Sequence, residues 1–122
     1  QYAPSKSILG VCLGLQAIAE VFGGNLRNLS KVFHGVATSI HVVRKDDPLF
    51  KDIPALFQAG RYHSWIVNRE KLPECLEITA IDDQNEIMAL SHREYDVRGV
   101  QFHPESVLTP LGEKMIQNWL NA

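Results

Sequence analysis

Apolar and polar positions divide the chain into an opening strand–helix unit, a series of short strands and a closing helix. Ser7 to Cys12 is an apolar run of the length of a short buried strand. Leu13, Ala17, Ile18, Val21 and Phe22 then recur at helical spacing, and Gly23-Gly24 supplies the left-handed stop expected just past a helix C-terminus. Strand, turn and helix in that order make the building block of a parallel α/β sheet. Beyond it the period shortens. Residues 31–33 and 38–44 read as short β segments joined at Gly35, Asp46-Asp47-Pro48 as a turn, and Pro48 to Lys51 as a helical turn. Ala55 to Gln58 and Ser64 to Val67 read as extended, with Gly60-Arg61 between them. Leu76, Ile78 and Ala80 alternate as in a half-buried strand over Leu76 to Ile81; a turn at Asp82 to Asn85 returns the chain as Glu86 to His92. Val97 to Phe102 is the last predicted strand. Thr109 is a candidate N-cap with Pro110 at the first helical position, and Met115, Ile116, Trp119 and Leu120 give the final helix its apolar face.

At 122 residues and 45% hydrophobic content, the chain is expected to form a single domain, 1–122, around one core. A doubly wound sheet opens with several strand–helix units. This chain has one, so it reads as starting within a domain. The net charge of −2 and scattered basic residues exclude a nucleic-acid groove binder. No apolar stretch approaches about 18 residues, so no membrane span is expected, and the first residues lack the blocks of a signal peptide. Two cysteines, Cys12 and Cys75, make no disulfide framework, which points to a reducing cytoplasm.

The candidate chemistry lies at two places. Gly10-Val11-Cys12-Leu13-Gly14 sits where the first strand meets the first helix, the layout of a nucleophile elbow. Flanking glycines permit a sharp turn, and the helix N-terminus favours a thiolate. In Gly99-Val100-Gln101-Phe102-His103-Pro104-Glu105-Ser106, His103 and Glu105 stand two apart, so an extended backbone points both the same way. A carboxylate holding imidazole Nδ1–H leaves Nε2 to face a nucleophile, which makes Cys12, His103 and Glu105 a candidate triad of nucleophile, base and orienter. Each part has a plainer reading: Cys12 as a small core residue, and His-Pro-Glu as a surface loop. No further Cys or His stands at ligand spacing, and the Pro-Cys-x-x-Cys of zinc deaminases is absent, so no metal is expected. His63, just before Ser64 and Trp65, could lie near a site.

The stretch from Gly10 to Ile18 resembles the nucleophile motif of the triad-type, class I glutamine amidotransferases, and Gly99 to Ser106 resembles their histidine–glutamate motif. Val32-Phe33-His34-Gly35, Gly60-Arg61-Tyr62-His63-Ser64 and Glu105-Ser106-Val107-Leu108-Thr109-Pro110 resemble the glutaminase subunits of anthranilate synthase and aminodeoxychorismate synthase. The resemblance runs from Ile8 to Leu120. It implies a flavodoxin-like open α/β sheet, mostly parallel with an antiparallel hairpin region, of which this chain is the C-terminal part. It implies that Cys12 attacks the side-chain amide of L-glutamine, that the Leu13 N–H is one oxyanion donor, and that His103, oriented by Glu105, handles the protons. Gln16, Ser64 and Trp65 would hold the substrate. No cofactor is implied; the partner would be a chorismate-binding synthase subunit that takes up the ammonia. Two departures stand out. The family usually has His where this chain has Leu15, and the Pro-Gly-Pro-Gly turn that supplies the other oxyanion amide is missing from this sequence. The alternative expectation is therefore a non-catalytic docking or regulatory module with amidotransferase architecture. A papain-like hydrolase also orders Cys before His, but lacks this elbow and the carboxylate two residues after His.

Overall fold

The computed structural model describes residues 7–121, with the side chains of residues 29–34 and of Ser64 outside that description. The elements are β1 (Ile8–Val11), α1 (Leu13–Val21), β2 (Leu26–Val42), β3 (Leu56–Val67), β4 (Leu76–Ile81), β5 (Ile87–His92), β6 (Val97–Val100) and α2 (Gly112–Asn121). Six strands form one mixed sheet in the order β1-β6-β5-β4-β2-β3. The open α/β sheet matches expectation, but its direction pattern differs. Among the described strands only β1 and β6 run parallel, with Gly10 opposite Gly99; the other pairings are antiparallel. A parallel neighbour requires a crossover, and β1 meets β6 only after the chain has passed through α1 and the four intervening strands. Short turns join β4 to β5 and β5 to β6, and these give antiparallel neighbours.

Glycine signals that suggested breaks prove to be features inside continuous strands. β2 runs through Gly35, where φ is 70° and the register with β3 shifts as a bulge. β3 runs through Gly60-Arg61. A Cβ on Gly60 would come within 2.9 Å of Leu108 Cβ and 3.0 Å of Ser106 Oγ, so this glycine marks the close approach of another chain segment. The Asp82–Asn85 turn forms as expected, with Asp82 Oδ1 accepting from the N–H groups of Gln84 at 2.8 Å and Glu86 at 2.9 Å.

The core lies on both faces of the central strands. Leu15 and Ala19 of α1 pack with Val67, Leu76, Ile87 and Leu90, while Met115 of α2 packs with Ile40, Phe50, Phe57, Met88 and Phe102. Ile87 and Met88 are neighbours on β5, so they serve opposite faces. Leu15 is fully buried in the first of these clusters. Asn118 ties α2 to the turn at Pro48–Phe50 by donating to the carbonyls of Leu49 and Lys51, each at 2.9 Å. Among the described residues no helix is long and apolar enough to cross a membrane.

Candidate active site

Parallel pairing of β1 and β6 brings their carboxyl ends to the same edge of the sheet. Cys12 follows β1 directly, and its N–H donates to Val100 O at 2.7 Å, carrying the pairing one residue past the strand. The chain then turns sharply into α1, leaving Cys12 at φ 55° and ψ −100°. A positive φ outside glycine is a strained conformation, typical of a side chain held at the apex of a turn. Two glycines across the sheet make the elbow tight. A Cβ on Gly10 would lie 2.6 Å from the Gly14 carbonyl carbon, and one on Gly99 would lie 2.6 Å from Leu15 Cδ1. Gly14 itself is different from expectation: a Cβ there would meet nothing within 4 Å. Gly10, opposite Gly99, lets α1 settle onto the strands; Gly14 is the backbone it settles against.

The thiol is largely buried, at 8% exposure. Its Sγ lies 3.7 Å from the Tyr62 carbonyl and 3.5 Å from Gln101 Nε2. Burial pushes the Cys12 thiol above its ordinary range, and the Glu105 charge adds to this. The Leu13 N–H and the Gln101 amide oppose the rise without reversing it. Desolvation thus works against the thiolate that the helix N-terminus favours, and the S–H can donate to Tyr62 O.

His103 leaves the end of β6 and crosses to β3, where its N–H donates to Gly60 O at 3.0 Å. Its Nδ1 lies 2.7 Å from Glu105 Oε2. A carboxylate only accepts, so Nδ1 carries the hydrogen, and in the neutral ring Nε2 is the atom able to take a proton. The ring meets Tyr62 edge-on, with centroids 5.0 Å apart. Cys12, Leu13, Gln16, Tyr62, His63, Trp65 and His103 share one cleft of about 440 Å³. Glu105 stands outside it, in the adjoining hollow beyond Tyr62.

A buried polar chain runs from the thiol into the sheet. Gln101 Nε2 points at Cys12 Sγ while its Oε1 accepts from Gln16 Nε2 at 3.2 Å. Gln16 Nε2 also donates to Trp65 O at 2.9 Å, and His63 Nδ1 lies 3.0 Å from the same oxygen. Arg61 Nε donates to His63 Nε2 at 3.0 Å, and Arg61 pairs through NH1 with Asp82 at 2.9 Å, both residues being nearly inaccessible. Arginine only donates and a carbonyl only accepts, so His63 is neutral with its hydrogen on Nδ1. Burial first and the Arg61 charge second push His63 down to about 4.

The structure thus gathers Cys12, Leu13, Gln16, Trp65 and His103 at one cleft, with Glu105 joined through His103. Gln16 is turned inward, and Trp65 O already accepts two hydrogen bonds; the half-exposed indole is what Trp65 offers to the cleft. Ser64 lies between His63 and Trp65 on β3, its side chain outside the described residues. Sequence reasoning overlooked Gln101, Arg61 and Asp82, whose signal is a polar residue inside a buried strand or at its end. It also misread Thr109. α2 starts at Gly112, and the Thr109 hydroxyl is engaged with the His103 loop instead of capping a helix.

The family profile Glutamine amidotransferase class-I matches residues 1–122. A Haemophilus influenzae protein provisionally named anthranilate synthase component II is 50% identical over 98% of this chain and 62% of its own length. Aminodeoxychorismate synthase component 2 of Escherichia coli is 41% identical over 98% of this chain and 63% of its own length. The chain therefore spans less than two thirds of these relatives. A solved structure from Thermoplasma acidophilum, provisionally described as a component of GMP synthase, superimposes with a TM-score of 0.85 at 24% identity, over 93% of this chain and 55% of that one.

Proposed function

Because the chain belongs to the class I glutamine amidotransferase family, we propose that it acts within a glutaminase subunit that hydrolyses L-glutamine and passes ammonia to a chorismate-using synthase. The observation that carries this reading is the strained Cys12 sharing a cleft with His103, whose Nδ1 is held by Glu105. The relatives named as anthranilate and aminodeoxychorismate synthase components support the choice of partner, a chorismate-binding subunit of one or both of those synthases.

The chemistry follows from the geometry. His103 Nε2 takes the Cys12 S–H proton as Sγ bonds to the glutamine amide carbon. Burial, which raises the Cys12 thiol, makes this proton transfer part of the attack. The carbonyl electron pair moves onto oxygen, next to the Leu13 N–H at the start of α1. His103 returns the proton to the departing nitrogen, the C–N bond breaks, and ammonia leaves a Cys12 thioester. Nε2 then takes a proton from water, whose oxygen attacks the thioester; glutamate departs and Sγ is reprotonated. Glu105 keeps the ring in one tautomer and offsets its charge in both steps. Gln16 borders the substrate through the Cys12 cleft, and Ser64 and Trp65 sit on the strand opposite. A cytoplasmic location accords with the free thiols of Cys12 and Cys75.

The test is to treat the full-length protein, with its synthase partner, with a diazoketone analogue of glutamine and map the product by peptide mass spectrometry. An adduct on Cys12 is expected, and none on a Cys12→Ala variant. That variant should also lose glutamine-dependent synthesis and keep ammonia-dependent synthesis. An unmodified Cys12, or a Cys12→Ala complex that still uses glutamine, favours the non-catalytic module instead.

A further inference from the structure

We propose that Thr109 is a positioning residue for His103, holding it at the reach the thiol requires by spacing its backbone from β3. The inference rests on the glutaminase reading for its kinetic consequence only. Gly60 and His103 face each other as an isolated antiparallel bridge. In a regular bridge of this kind two residues exchange both N–H···O bonds. Here only one is direct, from His103 N–H to Gly60 O at 3.0 Å. The other is interrupted by the Thr109 hydroxyl, which accepts from Gly60 N–H at 2.8 Å and donates to His103 O at 2.7 Å.

The hydroxyl is a one-atom spacer with both of its roles used. Thr109 is 3% exposed, so water does not compete for either bond. It holds the two backbones apart on one side while the direct bond holds them together on the other, fixing the angle at which His103 leaves the sheet. The rest of the loop locks the spacer in place. Ser106 N–H donates to His103 O at 3.2 Å and Thr109 N–H to Ser106 O at 3.0 Å, a double turn that returns Thr109 beneath His103. Ser106 and Leu108 then press on Gly60, where a Cβ would come within 3.0 Å of both. The glycine and the threonine are two halves of one clasp.

Thr109→Val tests it, because valine keeps the shape and removes both bonds. Gly60 N–H and His103 O are then either left unpaired or drawn directly together, and in each case His103 shifts. In the full-length protein with its synthase partner, kcat for ammonia release from glutamine should fall about tenfold or more, with KM for glutamine within about twofold. Thr109→Ser keeps the hydroxyl and should hold kcat within about threefold of the unaltered protein. Amide hydrogen exchange gives a readout that needs no activity. Protection of the Gly60 N–H should drop roughly tenfold in Thr109→Val and persist in Thr109→Ser. Unchanged kcat in Thr109→Val, unchanged Gly60 protection, or a Thr109→Ser that behaves like valine each overturns the clasp. If Thr109→Val fails to fold, the serine variant decides through the same two measurements. An unaltered complex that releases no ammonia refutes the glutaminase reading alone, and Gly60 exchange still decides the clasp.

Discussion

At the residue scale, the thiol's character is set by what surrounds it more than by the helix it precedes. Burial raises Cys12, while the Leu13 N–H and the Gln101 amide pull it back. Gln101 is the adjustable part, since its side chain reaches Sγ at 3.5 Å and is itself held by Gln16. Replacing Gln101 with Leu removes a hydrogen bond that favours the charged sulfur, so the thiol should rise further. The rate of Cys12 alkylation by iodoacetamide, followed against pH, should have its midpoint displaced to higher pH in Gln101→Leu. A midpoint at the same or lower pH would show that Gln101 does not stabilise the thiolate. Loss of the Gln16 partner in the same variant should also weaken glutamine binding, seen as a higher KM.

At the element scale, the elbow depends on how closely α1 approaches β1 and β6. A Cβ at Gly10 strikes backbone atoms of Gly14 and Ile18 Cδ1 inside 3 Å, so Gly10→Ala should cost about 1–3 kcal/mol, as overpacking does. Gly14 has open space at the same test and lies within the helix, so Gly14→Ala should stabilise by about 0.5–1 kcal/mol through helix propensity. Urea unfolding of the two variants should move in opposite directions. This contrast also shows where the sequence was legible. The strand–turn–helix unit and the β4–β5 hairpin follow from local periodicity and turn residues, and both were readable. Cys12, His103 and Glu105 were readable as residue types in a pattern. What local pattern conceals is contact between distant segments. Gly60 looked like a break between strands because its glycine answers to Leu108 and Ser106 across the molecule. Thr109 looked like a helix cap because one of its hydroxyl's partners, Gly60, lies 49 residues away, and the other, His103, precedes it across a loop. Strand direction is hidden from local pattern as well, since it is set by how the strands are connected.

At the scale of the whole molecule, the site is continuous with a buried polar chain that ends at the β4–β5 turn. Asp82 joins that chain to the turn: one oxygen closes the turn and the other pairs with Arg61. Arg61 in turn fixes His63, which shares Trp65 O with Gln16. A buried ion pair of this kind contributes little net stability, but losing one partner leaves an uncompensated charge, so it acts mainly to fix geometry. The chain works only while His63 is neutral, because a proton on Nε2 would face the Arg61 N–H. Arg61 and His103 both oppose that proton and Asp82 favours it, with burial the largest influence. The folded state holds His63 down at about 4, against 6.5 for the free side chain. Below 6.5 the unfolded chain therefore binds a proton that the folded one refuses. The resulting stability is complete above about pH 6.5 and is lost progressively as pH falls toward 4, on the order of 3 kcal/mol in all. Glutamine at this position offers an acceptor and a donor without titrating. Melting temperatures of the unaltered protein should thus fall more steeply between pH 6.5 and pH 4 than those of His63→Gln, with the two curves parallel above pH 7. Equal slopes across the acid range would mean that His63 is protonated in the folded protein, and that the Arg61–His63–Trp65 chain is not what orders β3 beneath the cleft.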